Sequence, residues 1–323
     1  MQKRRRIRIR PAGFVLLATV VVLIVLLFRF IFGYLLPETA ARISPITPLS
    51  SVTASANQTG YTRIERPYSD IYKGDLILVN FDYPCRANQG GQLSSLFESK
   101  TSSYQVRDHN VILHKDIIPQ FNALMDDFLE AKGKSDIMAL SGYRSPEKQE
   151  ELYQNDLQQT GAEESTQVAK AGYSEHQTGY AMDLSLYTGL GLTLDYTGNG
   201  KYAWINQNCV KYGFIVRYAR EKQTITKIID EPWHLRYVGV PHAQLMTQKK
   251  LCLEEYIDLL HEYAFDRQHL FVTQEDGSEY EIYYVPAGSD PDATISIPVP
   301  EDRDYRISGN NIDGFIVTVL SKI

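Results

Sequence analysis

The 323-residue sequence predicts an α+β domain: a small mixed or antiparallel sheet flanked by helices, with an N-terminal transmembrane helix and a small C-terminal β appendage. Three observations support this. Strand-like and helix-like runs are interspersed over residues 67–265, without the regular strand–helix–strand order of a parallel sheet. A long apolar run follows a basic N-terminus. Alternating and β-branched runs, separated by turn residues, occupy residues 266–323.

The N-terminus predicts a membrane anchor. Residues 3–10 hold six basic groups and no acidic one, and the run from Ala12 to Leu36 is apolar except for Arg29 and a few small or aromatic residues. About 20 apolar residues span a bilayer as a helix. The basic excess predicts a cytoplasmic tail at 1–11, a signal anchor at 12–36 and an extracellular remainder. A cleaved signal peptide is the alternative, although the apolar run is long for one.

Charge and cysteine content restrict the possible partners. Without residues 1–37, which hold seven basic groups and no acidic one, the chain has 26 basic and 39 acidic residues and a net charge of −13. This charge disfavours nucleic acid as a partner. Cys85, Cys209 and Cys252 are too few for a disulfide scaffold and lack the C-x-x-C spacing of a zinc cluster, although one pair could form a disulfide.

The elements follow in order along the chain. Residues 37–66 are rich in Ser, Thr, Ala and Pro, which predicts a flexible tether. Leu76 to Val79 is an apolar run that predicts a buried strand. Apolar residues at helical spacing from Ile117 to Phe128 predict an amphipathic helix of about 16 residues. Pro146 suits the first turn of the next helix.

The remaining elements are shorter. Strands are predicted at 137–140, 181–186, 214–218, 235–238, 280–285 and 315–319, helices at 204–212 and 241–263, and a loop at 161–180. The last two strands belong to the β appendage, residues 266–323.

Three clusters carry residues suited to catalysis. They are SGYRSPEKQ at 141–149, SEHQTGYAMD at 174–183 and EPWH at 231–234. His176, Asp183 and His234 offer the imidazole and carboxylate ligands of a hydrolytic zinc site, which leaves its fourth position to water. A carboxylate that is not a ligand must take the proton of that water, and Glu231 suits this role.

The pattern S-x-H-x-x-G-x-A-x-D followed by E-x-W-H resembles the VanY-type D-alanyl-D-alanine carboxypeptidases. These zinc peptidases form one family with the D-Ala-D-Ala dipeptidases and the L,D-carboxypeptidases. The resemblance covers residues 74–263 and includes S-G-Y-R-S at 141–145 and V-R-Y at 216–218. It implies a zinc D,D-carboxypeptidase domain at 67–265, with the metal in a cleft.

The resemblance also implies roles for individual residues. One Zn²⁺ per chain is expected on the three ligands His176, Asp183 and His234, with Glu231 as catalytic base. Arg144 is expected to bind substrate and to stabilise the oxyanion, for which its planar fork of donors is suited. Positions matching Gln149 and Ser174 contact the peptide in relatives. Tyr143 is expected either in the core or as a wall of the substrate site.

The implied activity is hydrolysis of the C-terminal D-Ala of peptidoglycan stem pentapeptides by metal-activated water, outside the bacterial plasma membrane. The alternatives are an L,D-carboxypeptidase acting on stem tetrapeptides, a dipeptidase, and an inactive cell-wall-binding module. An anchored enzyme facing the wall would meet little free dipeptide, and the complete ligand set argues against an inactive module.

Two serine-enzyme patterns occur but are incomplete. Residues 172–176 place His176 where the G-x-S-x-G nucleophile elbow requires a second glycine. Residues 145–148 spell S-x-x-K, but no K-T-G follows. The sequence therefore favours the metal enzyme over both.

Overall fold

The computed structural model describes residues 50–55, 60–86, 92–134, 136–189, 191–274 and 276–322. Within these ranges seven α-helices form: α1 Leu96–Ser99, α2 Ile118–Lys132, α3 Pro146–Thr160, α4 Ala203–Asn208, α5 Gln223–Thr226, α6 Val240–Lys249 and α7 Leu253–Leu260. The same ranges contain fifteen strands: β1 Ser50–Ser55, β2 Tyr61–Pro67, β3 Leu93–Ser95, β4 Gln105–Val106, β5 Ile112–His114, β6 Ile137–Ser141, β7 Ala181–Tyr187, β8 Thr193–Asp195, β9 Phe214–Val216, β10 His234–Tyr237, β11 Gln268–Thr273, β12 Glu279–Pro286, β13 Thr294–Pro300, β14 Tyr305–Gly309 and β15 Gly314–Lys322.

A mixed sheet lies at the centre of the domain. Its order is β4-β6-β7-β10-β9, with β8 paired to β7. β4 and β6 are parallel, and the other pairs are antiparallel. Because side chains alternate along a strand, β7 directs Met182 and Leu184 into the hydrophobic core and Asp183 toward the opposite face. The predicted α+β class and mixed sheet are confirmed.

The two longest helices, α2 and α3, form where the sequence predicts helices. α2 buries Ile118, Phe121, Leu124, Met125 and Phe128, and ends at Gly133, whose φ of 64° is left-handed. α3 begins with Pro146, and the amide of Lys148 donates a 3.2 Å hydrogen bond to the Ser145 hydroxyl that caps it. Such a cap satisfies one of the free amides of the first turn.

The predicted helix at 241–263 is two helices. α6 ends at Lys250, whose φ of 55° is left-handed, and the amide of Leu251 donates to the carbonyl of Met246. Cys252 then caps α7, where its backbone amide donates to the Glu255 carboxylate. The apolar spacing continues through the break, so the periodicity alone does not reveal it.

The predicted strand at Leu76–Val79 is wrong, although all four side chains are buried. Its backbone bonds to loops and side chains instead of to a neighbouring strand. The amide of Leu76 donates to the Ser308 hydroxyl, and the carbonyl of Ile77 accepts from Arg236.

Residues 266–323 do not form a separate appendage in the structure. A five-stranded antiparallel sheet has the order β1-β11-β12-β15-β14, and β2 pairs with β13. Leu270, Ile282 and Ile316 of this sheet share one hydrophobic cluster with α2 and α7. β1 and β2 lie within the predicted tether, where 50–55 and 61–66 are strands because each pairs with a strand more than 200 residues away.

Two further expectations concern the membrane and the cysteines. In the part of the chain that the structure describes, no helix is both long enough and apolar enough to cross a bilayer. The predicted tail at 1–11 and anchor at 12–36 lie outside the described residues. Cys209 and Cys252 are buried thiols, so no pair among the three cysteines, all of which are described, forms a disulfide.

Candidate active site

The residues His176, Asp183 and His234 meet at one buried point. One ligand atom from each lies within 4.8 Å of the other two. Strand pairing places Asp183 of β7 directly opposite His234 of β10. His176 comes from a 3-10 turn, Glu175–Thr178, which ends at Gly179 with a left-handed φ of 74°. This turn reverses the chain so that His176 faces the two strands.

Each imidazole presents one nitrogen to Asp183. His176 Nε2 lies 3.1 Å from Asp183 Oδ2, and His234 Nδ1 lies 3.0 Å from Asp183 Oδ1. The other nitrogen of His176, Nδ1, donates a 2.6 Å hydrogen bond to the carbonyl of Gly142. This bond fixes the tautomer that leaves the Nε2 lone pair free to bind a metal.

A buried carboxylate faces the second nitrogen of His234. Glu175 Oε2 lies 3.4 Å from His234 Nε2, and Glu175 is 1% exposed. Arg217 and Arg236 each approach Glu175 Oε1 at 2.9 Å. Burial raises the pKa of Glu175, but the two guanidinium groups outweigh it and lower the pKa to about 2. Glu175 is therefore ionised and suited to accept the Nε2 proton of His234.

The charges around the two histidines shift their pKa values in opposite directions. Burial and the nearby Arg144 lower the pKa of His176 to about 4. Burial also lowers the pKa of His234, but the Asp183 and Glu175 carboxylates outweigh it and raise the pKa to about 9. The pKa values of the two imidazoles are therefore shifted in opposite directions, although both imidazoles face the same carboxylate, Asp183.

Glu231 lies beside the three ligands. It is 8% exposed, and its Oε2 is 3.9 Å from His234 Nδ1. Burial, assisted by the negative charge of Asp183, raises the pKa of Glu231 to about 7, although His234 and Arg144 oppose the shift. Its amide donates to the carbonyl of Tyr218 at 2.8 Å, which holds this loop against the sheet. A carboxylate with this pKa exchanges a proton near neutral pH.

Arg144 reaches the same point from the loop between β6 and α3. Its guanidinium pairs with Asp183 Oδ2 and donates to the Ser141 hydroxyl at 2.9 Å. Its Nη1 lies 3.5 Å from Gln149 Oε1. Gln149 is itself buried and held by the Ala169 carbonyl at 2.7 Å.

The other two predicted substrate residues lie close by in the chain. Ser174 is buried and precedes the turn that carries His176. Tyr143 is partly exposed, and its amide donates to the Ile112 carbonyl at 2.7 Å. Tyr143 is therefore not a fully buried core residue.

Four residues that support the site, Glu175, Arg217, Arg236 and Glu254, were not assigned a role from the sequence. Arg217 binds Glu254 through two 2.9 Å hydrogen bonds, and Arg236 binds Glu175. Arg217 lies in the V-R-Y sequence at 216–218, and Arg236 is a charge within an otherwise apolar strand-like run. Because charged residues are almost never fully buried without a partner, such positions indicate paired groups, but they do not identify the partners.

The donor set fits a zinc ion. Two imidazole nitrogens and one carboxylate are typical of a catalytic zinc site with an open fourth position. One nitrogen of each imidazole lies 3.0 or 3.1 Å from an oxygen of Asp183. One ligand atom from each of the three residues lies within 4.8 Å of the other two, so a single ion can contact all three residues. Both histidines have a second partner, as metal-binding histidines usually do.

Comparison with known proteins gives consistent matches. The family model described as VanY, D-alanyl-D-alanine carboxypeptidase, matches residues 110–240, which include every site residue named above except Glu254. A D-alanyl-D-alanine carboxypeptidase of Enterococcus faecium is 38% identical over 254 residues, which are 77% of this chain and 76% of the relative.

Two further relatives are matched by this chain over most of their length. The bifunctional D-Ala-D-Ala dipeptidase and D-Ala-D-Ala carboxypeptidase VanXYC of Enterococcus gallinarum is 36% identical over 190 residues, 57% of this chain and 94% of the relative. The solved structure of the vancomycin resistance D,D-dipeptidase VanXYg, in complex with a D-Ala-D-Ala phosphinate analog, has a TM-score of 0.70 and 36% identity. It covers 80% of this chain and 99% of that one.

Proposed function

Because the chain belongs to the VanY family of D-alanyl-D-alanine carboxypeptidases, we infer that it is a zinc-dependent peptidoglycan carboxypeptidase that removes the C-terminal D-Ala of stem pentapeptides. The observation that carries this conclusion is the convergence of His176, Asp183 and His234 within 4.8 Å, with Glu231 beside them. Zinc bound there supplies a Lewis acid and lowers the pKa of water, so that a nucleophile is available at neutral pH.

Glu231 is assigned as general base. Its position 3.9 Å from His234 Nδ1 places the carboxylate next to the ligands without making it one of them. In its ionised form it takes a proton from the attacking water, and in its protonated form it delivers that proton to the leaving amine of D-Ala. In the metal-free site, burial raises the pKa of Glu231 to about 7, so its protonated form is accessible there near neutral pH.

Arg144 is assigned the role of binding the anionic groups of the substrate and the transition state. Its guanidinium lies beside Asp183 and is partly open to solvent. The planar fork of donors matches a terminal carboxylate or the oxyanion formed from the scissile carbonyl. Gln149 and Ser141 orient Arg144 through its Nη1 and Nε atoms.

Comparing three substrates tests the bond that is cleaved. The full chain, loaded with zinc, is incubated with a stem pentapeptide, a stem tetrapeptide and free D-Ala-D-Ala, and released D-Ala is quantified. The proposal expects the highest kcat/KM for the pentapeptide and loss of the activity with a chelator. A higher kcat/KM for the tetrapeptide would make the chain an L,D-carboxypeptidase. If the chain binds stoichiometric zinc but hydrolyses none of the three substrates, the remaining hypothesis is an inactive wall-binding module.

We also propose that the catalytic domain lies outside the plasma membrane and is anchored by residues 12–36. Support comes from the basic residues that precede the apolar run and from the negative charge of the remainder of the chain. Peptidoglycan is an extracellular substrate, which agrees with this orientation. Protease added to intact cells should remove the domain at 67–265 and spare the tail at 1–11. Protection of the whole chain would reject the proposed orientation.

A further inference from the structure

A cavity of about 520 Å³ lies next to the residues that surround the candidate metal site. Tyr218 lines this cavity, and the centroid of its ring is 5.4 Å from that of His234. Tyr173 and Ala169 line it as well, and the carbonyl of Ala169 accepts the hydrogen bond from Gln149. The cavity is therefore positioned to receive part of a peptide that is bound at the metal site.

One wall of this cavity comes from outside the region that matches the family model. Asn80 and Phe81 line the cavity, whereas the match covers residues 110–240. The Phe81 side chain is 52% exposed, although the run at 76–79 that precedes this wall is buried. Aromatic rings are common in the walls of small-molecule sites, and the Phe81 ring is accessible to a ligand.

The remainder of the lining suits an uncharged ligand group. Lys170 and Glu164 both line the cavity, but they pair with each other at 3.1 Å. Lys227 also lines it and donates to the Thr224 carbonyl at 2.8 Å. The other large apolar and aromatic residues of the lining are Tyr153, Val168, Tyr173, Tyr218 and Ile228.

The loop that carries Phe81 is held at both ends by one side chain. Asn311 Nδ2 donates to the carbonyl of Leu78 at 2.7 Å and to the carbonyl of Pro84 at 3.0 Å. Asn311 lies in the turn between β14 and β15 and is 6% exposed. Both N–H groups of this amide are thereby used, and Asn311 fixes the two ends of the loop relative to each other.

The loop also has hydrogen bonds of its own. Asn80 Oδ1 accepts from the amides of Asp82 and Tyr83 at 2.9 and 3.1 Å. Asn80 Nδ2 donates to Glu254 Oε1 at 3.0 Å, and Glu254 is the ion-pair partner of Arg217. The loop is therefore held by its backbone and by Asn80, so the exposed ring that it carries can be replaced without loss of the loop.

We propose that Phe81 is a wall of the substrate site that contacts an apolar group of the peptide, and that Asn311 is a positioning residue that holds this wall in place. This inference rests on the proposed function, and it gives the turn between β14 and β15 a role in substrate binding. The φ of Asn311 is 65°, which is left-handed. Asn adopts this conformation more readily than most residues, so the turn presents an amide group to the two carbonyls.

Substitutions of Phe81 test the wall on the full, zinc-loaded chain. Phe81→Ala should raise KM for a stem pentapeptide at least about fivefold, which is ~1 kcal/mol. It should leave kcat within about twofold, because the loss of a contact made equally in bound substrate and transition state changes KM alone. Phe81→Tyr keeps the ring and should keep KM. Tyr305→Ala, which removes an exposed aromatic side chain outside this cavity, is the control. An unchanged KM for Phe81→Ala would overturn the inference.

Substitution of Asn311 tests the positioning role. Asn311→Gly removes the amide group but keeps the left-handed backbone accessible, and it should raise KM as Phe81→Ala does, with kcat and zinc content unchanged. Lys250→Gly, which places glycine at another left-handed position, is the control. If Asn311→Gly does not fold, Asn311→Asp provides the same test, because an ionised carboxylate cannot donate to the two carbonyls.

The double variant Phe81→Ala/Asn311→Gly separates positioning from a general effect on the fold. Its KM should equal that of Phe81→Ala, because substitutions that act through one shared contact are not additive. If the two increases in KM multiply, Asn311 does not act through Phe81 and its assignment is wrong.

The two hypotheses fail in different ways. If the unmodified, zinc-loaded chain does not cleave the pentapeptide, the proposed carboxypeptidase activity fails, and the inference fails with it. If the chain cleaves the pentapeptide and Phe81→Ala has an unchanged KM, the activity stands and only the role of the wall is rejected.

Discussion

Glu175 Oε2 lies 3.4 Å from His234 Nε2, on the side of the imidazole away from the nitrogen that faces Asp183. Glu175 is immediately followed by the candidate ligand His176, so one short turn supplies a ligand and the carboxylate that orients another ligand. Arg217 and Arg236 keep this buried carboxylate ionised. Glu175 therefore links the metal site to a series of buried charged groups, which continues through Arg217 and ends at Glu254.

Replacing Glu175 is expected to weaken metal binding. Glu175→Gln keeps the size of the side chain but removes the negative charge that faces His234. Loss of such a partner typically lowers metal affinity roughly 10- to 100-fold. Zinc affinity measured by competition with a chelator checks this, and thermal unfolding of the metal-free variant shows whether the fold is retained. Glu221→Gln, an exposed neighbour of Arg220, is the control; a folded Glu175→Gln variant with unchanged zinc affinity would contradict the role.

Substitutions of Glu231 and His176 are expected to affect catalysis and metal binding differently. Glu231→Gln should retain zinc and lose at least about 100-fold in kcat, because proton transfer contributes roughly 10²- to 10⁴-fold. His176→Ala should lose metal and activity together. Zinc content and kcat are measured on the same preparations. A Glu231→Gln variant with near-normal kcat would remove the assigned base.

Zinc affinity is expected to fall as the pH falls. The pKa of His234 is raised to about 9, and a metal must displace the proton on the nitrogen it binds. One displaced proton lowers the apparent affinity by about tenfold for each pH unit below that pKa. Chelator competition between pH 6 and pH 9 measures this slope. An apparent affinity that does not change over this range would contradict the protonation of His234 in the metal-free site.

The ion pair between Arg217 and Glu254 is expected to stabilise the fold except in acid. Burial raises the pKa of Glu254, but Arg217 outweighs it and lowers the pKa from 4.5 to about 2. Because the folded-state pKa is depressed, this stabilisation is present above about pH 4.5 and is lost as the pH falls toward 2. Glu254→Gln should therefore lower the free energy of unfolding by roughly 3–5 kcal/mol at pH 6 and by less at pH 3.

Urea unfolding at both pH values measures this difference, with Glu130→Gln on the exposed face of α2 as control. If Glu254→Gln lowered the free energy of unfolding by the same amount at pH 3 and at pH 6, the effect would not come from the ion pair.

Local periodicity was sufficient to predict α2 and β7. The helical spacing of Ile118 to Phe128 and the β7 residues Met182 and Leu184 reflect contacts with one core, so their pattern is visible in a short window. The two motifs also predicted which side chains converge, because their spacing and residue types are those of a zinc site.

Long-range pairing was not predictable in this way. β1 and β2 are polar sequences that become strands only because β11 and β13 pair with them. The apolar run Leu76 to Val79 is the opposite case, since it was predicted to be a strand and is not one. An apolar run indicates that the residues are buried, but the hydrogen bonds of this segment depend on Ser308 and Arg236, which are distant in the sequence. Glu175 was part of a recognised motif, but its role depends on the distant Arg217 and Arg236.

The central claim is that His176, Asp183 and His234 hold one zinc ion. Crystals of the full chain grown with zinc, with diffraction data recorded on both sides of the zinc absorption edge, test it most directly. The account predicts one anomalous peak per chain, about 2.0–2.2 Å from one atom of each of the three side chains. Absence of a peak at this position, or zinc bound at a different set of residues, would contradict it.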